Sequence, residues 1–247
     1  MTGLIDELVG STRRALERRK RDPLPERDHT MRSLSAAIRR VDKAIIAEIK
    51  PRSPVAGDLL GSRDALAIAR DYEAGGAIAL SVLVAPAFGG AVETVSGVKG
   101  AVTVPVLYKD FIIDEFQISE GFSYGADAVL LIAGISPVER LMNLVDDLGM
   151  EAIVECRTAE DIERAIAVGA ELVGINNRDL STLTVDLETT ARLAELVPGN
   201  ILVISESGVK TPFDASYLFD CGADALLIGT AVMEAPNPKE FIQLCMK

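Results

Sequence analysis

A short β-branched run, a loop and an amphipathic helix recur eight times from Lys43 onward. This alternation predicts an α/β fold, a (β/α)8 or TIM barrel with a short N-terminal helical extension. Two further observations favour it. Three of the units share a tail, Gly125-Ala-Asp-Ala, Gly169-Ala-Glu-Leu and Gly222-Ala-Asp-Ala, in which a glycine stops a helix and the next strand starts at once. The 247 residues with 49% hydrophobic content suit one large barrel, and with aromatics at 4% and no Trp its core must be aliphatic. A doubly wound open sheet is the alternative, but Gly-x-Gly-x-x-Gly is missing after the first strand.

In chain order, residues 2–20 read as a helix with Leu4, Leu8 and Leu16 apolar and a basic end at Arg18, Arg19 and Lys20. The basic cluster from Arg13 to Arg21 reads as a solvated helix end rather than a binding patch. Asp22-Pro-Leu-Pro25 breaks the helix, and a second covers roughly 30–40. Residues 1–42 thus form an extension too short to be a domain, and 43–247 the barrel. Strands are predicted near 44–49, 77–83, 104–108, 126–132, 151–155, 171–176, 200–206 and 224–228. Helices fall near 63–74, 91–100, 115–124, 137–148, 159–168, 187–196, 212–220 and after 237.

Composition excludes several classes. The net charge of -12 argues against general nucleic-acid binding and against an anionic membrane surface, though not against a local pocket for a small anion. One histidine, His29, and three scattered cysteines, Cys156, Cys221 and Cys245, assemble no zinc-type cluster, so no metal is expected. Cys156 reads as a buried inert thiol. The N-terminus lacks a basic segment followed by an apolar core, and no apolar run approaches the ~20 residues that span a bilayer. The expectation is a soluble cytoplasmic protein, monomeric by default.

The site should lie at the C-terminal strand ends. Period two then decides which residues face the lumen. In Ile45-Ile-Ala-Glu-Ile-Lys50, Ile46, Glu48 and Lys50 share a face, while Ile45, Ala47 and Ile49 meet the helices. The second strand points Ala79 and Ser81 inward. The third, Val104-Pro-Val-Leu-Tyr-Lys109, points Leu107 and Lys109 inward, with Val106 and Tyr108 outward. The fifth gives Glu155, the sixth Asn176 with Arg178 in the loop after it, and the seventh Glu206. Three carboxylates, two lysines and an arginine converge on one mouth. Each ends an apolar run, so they must pair, and pairing can tune them for proton transfer. A phosphate site is predicted where Ser207-Gly208 ends strand seven and Ile228-Gly229-Thr230 ends strand eight, since glycine lets backbone N–H groups approach an anion.

These residues stand in segments that resemble indole-3-glycerol phosphate synthase, the indole-forming enzyme of tryptophan biosynthesis. They are Ile46-Ala-Glu-Ile-Lys-Pro-Arg-Ser-Pro54, Leu80-Ser-Val-Leu83, Pro105-Val-Leu-Tyr-Lys-Asp-Phe-Ile-Ile-Asp114, Gly174-Ile-Asn-Asn-Arg-Asp-Leu180 and Ser205-Glu-Ser-Gly208. The resemblance implies ring closure, decarboxylation and dehydration of 1-(2-carboxyphenylamino)-1-deoxyribulose 5-phosphate, without a cofactor. It implies that Lys109 is the general acid, Glu155 a second acid/base group, Glu48 the holder of the network, and Lys50 a neighbour of the substrate's negative groups. Asn176 and Arg178 match positions that contact the anthranilate part, and Glu206 a sugar-hydroxyl position. Ser53, Ser207, Gly208, Gly229 and Thr230 match phosphate-binding positions, and Pro54, Phe88, Phe111 and Leu130 the apolar walls. It also leaves room for association with other tryptophan-pathway enzymes. Val84-Ala-Pro86, Val55 and Tyr108 depart from the family pattern. Two other readings are an isomerase-type phosphate-binding barrel, which would need a cysteine and aspartate pair at strand ends, and a catalytically silent barrel serving as a binding subunit.

Overall fold

The computed structural model describes residues 3–53 and 56–247. Eight parallel strands close into one barrel: β1 (Ala44–Ile49), β2 (Ala79–Leu83), β3 (Val106–Lys109), β4 (Ala128–Ile132), β5 (Glu151–Cys156), β6 (Leu172–Asn176), β7 (Leu202–Glu206) and β8 (Ala225–Ile228). β1 makes the closure. It sets Ile46 beside Ala79 of β2 and Ala44 beside Ala225 of β8. The predicted (β/α)8 barrel is borne out. Two helices precede it, α1 (Leu4–Arg19) and α2 (Leu34–Ile38), and the crossovers carry α3 (Ala65–Ala74), α4 (Glu93–Ala101), α5 (Glu115–Ser123), α6 (Val138–Asp147), α7 (Ala159–Ala167), α8 (Glu188–Ala194) and α9 (Pro212–Asp220). α10 (Thr230–Glu234) and α11 (Pro238–Cys245) follow β8. Among the described residues no helix is long and apolar enough to cross a membrane.

Strand parity sorts the aliphatic residues into two layers. Ile45, Ala47, Val106, Tyr108, Val154 and Ile175 pack outward against the helices. Ile46, Leu107, Leu130, Ile153, Ile204 and Leu227 fill the lumen. Each fully buried Val, Leu or Ile is worth about 1.5–3 kcal/mol of transfer free energy, which is how a core so poor in aromatic residues holds.

The lower end of the lumen is stoppered by α2. Leu34 and Ile38 are buried within the lumen cluster beside Ala44, Leu172 and Leu202. Ser33 caps the helix by accepting from Ala36 N at 3.0 Å. The Glu151 carboxylate, at the start of β5, accepts from the Leu34 and Ser35 amides and from both serine hydroxyls, a complementary charge at a helix N-terminus. α2 is shorter than the helix predicted over 30–40, because the residues before Ser33 are spent on other bonds. Arg32 N donates to Asp127 Oδ1 at 2.8 Å, and Arg27 donates to the Phe122 and Ala126 carbonyls.

β2, β3, β4 and β7 begin two residues later than predicted. Before β3 stands Pro105, which has no N–H for a ladder. Before β4 stands Asp127, whose carboxylate takes Val106 N at 2.8 Å and Lys99 Nζ at 2.6 Å. Three short elements went unpredicted: α10, a 3-10 turn at Pro86–Phe88, and a ribbon pairing Arg52–Ser53 with Gly57–Asp58. None is long enough for hydrophobic periodicity to register.

Candidate active site

Lys109 ends β3 on the lumen face. Its Nζ lies 2.8 Å from Glu206 Oε2 at the end of β7 and 3.3 Å from Glu48 Oε2 on β1. Lys50 continues the chain of charges, with Nζ 3.0 Å from Glu48 Oε1. On the far side of the mouth, Asn176 Nδ2 donates to Glu155 Oε1 at 2.9 Å, and Asn176 Oδ1 accepts from Arg178 N at 2.9 Å. Parity therefore delivers Glu48, Lys109, Glu155, Asn176 and Glu206 to one mouth, as the alternation of apolar and charged residues predicts.

Two positions without side chains make room for the carboxylates. A Cβ on Gly174 would overlap Glu206 Oε1 and crowd Ile153 Cγ2, and a Cβ on Gly229 would overlap Glu48 Oε1. Glycine at these points is a matter of space.

The environment pushes the charged groups apart. Burial works against the Lys109 ammonium, but Glu206, Glu48 and Glu155 outweigh it and raise its pKa. Burial would lift the Glu48 carboxyl too, yet Lys50 and Lys109 together hold it down to about 2. Glu155 goes the other way. Burial and then the Glu206 charge lift it to about 7, against the pull of Lys109 and the Asn176 amide. A fixed ammonium thus stands near a carboxyl poised to exchange a proton at neutral pH, the separation that assigns acid and base roles.

Two connected cavities meet at Lys109. The inner one, of about 120 Å³, runs from Lys109 and Glu155 to an apolar wall of Leu4, Leu8, Phe88, Phe111, Leu130 and Ile132. Phe88 and Phe111 stack at 6.4 Å between centroids, and the Lys50 ammonium stands 6.0 Å from the Phe88 ring. The outer cavity, of about 1010 Å³, reaches the Ser207-Gly208 and Ile228-Gly229-Thr230 turns. Glu48, Lys50, Ser53, Lys109, Arg178, Leu183, Ser207 and Thr230 border both. Ser207 and Gly208 have φ of 66° and 101°, so consecutive residues adopt the left-handed region. A non-glycine residue there costs about 1–3 kcal/mol unless its surroundings fix it. Asn177 does so, with Nδ2 donating to Ser207 O and to Ser205 Oγ, both at 3.0 Å. The adjacent asparagines thus divide by parity, Asn176 to the lumen and Asn177 to the turn.

Some predicted site residues stand differently. Glu206 and Ser81 border neither cavity. Glu206 is 1% exposed behind Lys109, and Ser81 is fully buried because its short side chain stops below the charged layer. Glu206 Oε1 and Ser81 Oγ have no hydrogen-bond partner among the described residues. Ile228 packs its side chain outward and offers only backbone to the outer cavity. Pro54 lies outside the described residues, and Ser53 Oγ accepts from Ala56 N at 3.3 Å. Arg178 donates from Nη1 to Leu183 O within its own loop at 3.0 Å. Leu4, Leu8, Ile132, Leu180 and Leu183 line the inner cavity and were not predicted. The two helical leucines carry the signal of any apolar stripe, which does not say what it faces. Among the described residues, no three His, Cys, Asp or Glu side chains are placed to hold a metal ion.

Known proteins place this geometry in context. The chain is 17% identical to thiamine phosphate pyrophosphorylase from Pyrococcus furiosus, with a TM-score of 0.62 over 83% of this chain and 93% of that one, which shows the barrel fold alone. It is 43% identical over 221 residues to the indole-3-glycerol phosphate synthase of Parafrankia sp., covering 88% of this chain and 82% of the relative. It is 40% identical over 257 residues to that of Kineococcus radiotolerans, covering 97% and 93%. The family model for indole-3-glycerol phosphate synthase matches residues 7–244. With the match spanning both helices of the extension and all eight strands, the chain belongs to the indole-3-glycerol phosphate synthase family, the carboxy-lyases of tryptophan biosynthesis.

Proposed function

We propose a division of labour among the mouth residues for the family's reaction on 1-(2-carboxyphenylamino)-1-deoxyribulose 5-phosphate. The observation that carries it is the Lys109 ammonium, held 2.8 Å from Glu206 and 3.3 Å from Glu48 where both cavities border it. The anthranilate ring enters the inner cavity between Phe88, Phe111 and Leu130, and the phosphate reaches the Ser207-Gly208 and Gly229-Thr230 turns with Ser53. The ribulose carbonyl then lies beside Lys109. As the ring carbon attacks, negative charge develops on the carbonyl oxygen, and a pre-placed ammonium in a dry site stabilises it and donates the proton. Ring closure leaves an electron-poor, iminium-like centre that Glu48 and Glu206 favour, and carbon dioxide departs by releasing its C–C bond pair into that centre. Glu155, poised near neutral pH, serves the dehydration that yields indole-3-glycerol phosphate and water. Lys50 and Arg178 hold the substrate's negative groups, and Asn176 orients Glu155.

Lys109→Ala tests this. Turnover should fall ~10²–10⁴-fold or more, while inorganic phosphate still competes with substrate. Lys109→Arg should not restore it, because a planar, forked guanidinium cannot stand as a point charge between Glu206 and Glu48. Lys50→Ala should raise KM more than it lowers kcat. Near-normal turnover in a folded Lys109→Ala protein would overturn the assignment. The proposal includes action as a cytoplasmic monomer on a small phosphorylated substrate. Three free cysteines and a net charge of -12 support it, and sedimentation with and without other tryptophan-pathway enzymes would test it.

A further inference from the structure

The basic end of α1 is not uniformly solvated. Arg13, Arg14, Arg18 and Arg21 are exposed, but Arg19 turns inward behind the strand that carries Lys109. Its Nη2 lies 3.2 Å from Asp110 Oδ2 and its Nη1 3.1 Å from Glu120 Oε2, so one planar fork spans two buried carboxylates on β3's outer side and α5. Asp110 is the hub. It also accepts from Thr12 Oγ1 at 3.3 Å, from Gln117 Nε2 at 3.0 Å and from Phe111 N at 2.9 Å. Tyr108 Oη completes the cluster by donating to Glu120 Oε2 at 2.8 Å. The cluster thus grips α1 at Thr12 and Arg19, and it grips the backbone between the catalytic Lys109 and the pocket wall Phe111. At its other end α1 delivers Leu4 and Leu8 to the inner cavity. Around them Leu8 and Val9 pack with Leu83, Phe88 and Phe111.

We propose that Arg19 is a positioning residue: by bridging Asp110 and Glu120 it fixes α1 as the outer wall of the ring pocket and holds Phe111 opposite. The inference rests on the ring half of the substrate occupying the inner cavity, as proposed above. Arg19 touches no substrate. Its effect on binding runs through Leu4, Leu8 and Phe111, while Gly208 and Gly229 of the phosphate turns line the outer cavity, which no residue of α1 borders. Lysine cannot take its place, since a single ammonium cannot span both carboxylates in the fork geometry.

The test compares wild type with Arg19→Met, Arg19→Lys and Leu8→Ala, reading kcat, KM and inhibition by inorganic phosphate. Arg19→Met should raise KM about tenfold, the scale of exposing part of two leucines, with kcat within about threefold and phosphate inhibition unchanged. Leu8→Ala should raise KM in the same direction by a smaller factor. Arg19→Lys keeps the charge in the cluster and should fold even where Arg19→Met does not, with KM raised by about threefold. A general loosening of the fold would instead weaken phosphate inhibition in parallel with KM. Unchanged KM in folded Arg19→Met, or in Arg19→Lys where the first variant does not fold, overturns the proposal. A parallel loss of phosphate inhibition overturns it too. Wild-type enzyme that fails to turn over the anthranilate-bearing substrate would defeat the earlier assignment instead, so the two failures are distinct.

Discussion

Glu151 and Glu155 lie on the same face of the same strand, one at each end of the barrel. Glu151 is saturated with donors, taking two backbone amides and two hydroxyls from the start of α2. Glu155 has one side-chain amide from Asn176 and a carboxylate neighbour in Glu206. The same contrast holds between Lys99, which is buried, and Lys109, which is partly exposed. At the lower end Lys99 pairs with both oxygens of Asp127, which Arg32 N and Val106 N also bond. At the mouth Lys109 is shared between Glu206 and Glu48, and Glu206 keeps one oxygen unbonded. Residue type does not separate structure from chemistry here. Completeness of hydrogen bonding does: a saturated charge is fixed, and an unsaturated one can answer a substrate.

The largest effect expected from this contrast is at the mouth. Glu155→Gln should lower kcat ~10²–10⁴-fold and leave the fold intact. It should also change how stability depends on pH. The folded Glu155 carboxyl titrates at about 7 against an ordinary 4.5, so between those values the native state binds more protons than the unfolded chain. This group's contribution therefore declines as pH rises from about 4.5 to about 7 and is flat beyond. Thermal melts of both proteins across that window should show the wild type losing stability relative to Glu155→Gln. Parallel curves would place Glu155 in the saturated class with Glu151.

Next comes the lower lysine. Lys99→Met removes the nearer of the two cations on buried Asp127, leaving Arg27 at 3.5 Å, and should cost about 1.5–3 kcal/mol, read as a fall in Tm of roughly 3–12 °C. The activity of the protein that remains folded should match wild type at assay temperature. A selective loss of kcat would break the comparison. Smallest is Glu151→Gln, which keeps one acceptor oxygen but removes the charge from the start of α2. About 1–2 kcal/mol should be lost, visible in denaturant midpoints, with KM and kcat unchanged.

Much of this was legible in the sequence. Lys109, Glu48, Glu155, Asn176 and Glu206 reached the mouth because each ends an apolar strand, where a two-residue period has only two outcomes. Depth along the lumen was not legible. Ser81 and Glu206 have the right parity yet stop beneath Lys109, because reach depends on side-chain length and on what lies above. Lys99 sits in an ordinary amphipathic helix, and nothing local marks it as buried. Its partner Asp127 lies 28 residues on. Arg19 was indistinguishable from the exposed arginines around it, since its direction is set by Asp110 and Glu120 on distant elements. The extension's two ends posed the same difficulty. An apolar stripe predicts burial but not whether it stoppers the barrel, as Leu34 and Ile38 do, or lines the site, as Leu4 and Leu8 do.

The span between α1 and its anchor has a consequence for synthesis. Arg19 and Asp110 are separated by 91 residues, and Ser35 and Glu151 by 116. At 5–20 residues per second, a ribosome delivers the first helix roughly 5–20 s before the strand that will hold it. Throughout that interval Leu8 and Leu16 have no barrel to lie on. The helix that walls the inner cavity is made before the residue that anchors it, and it takes its place only after the third strand has emerged.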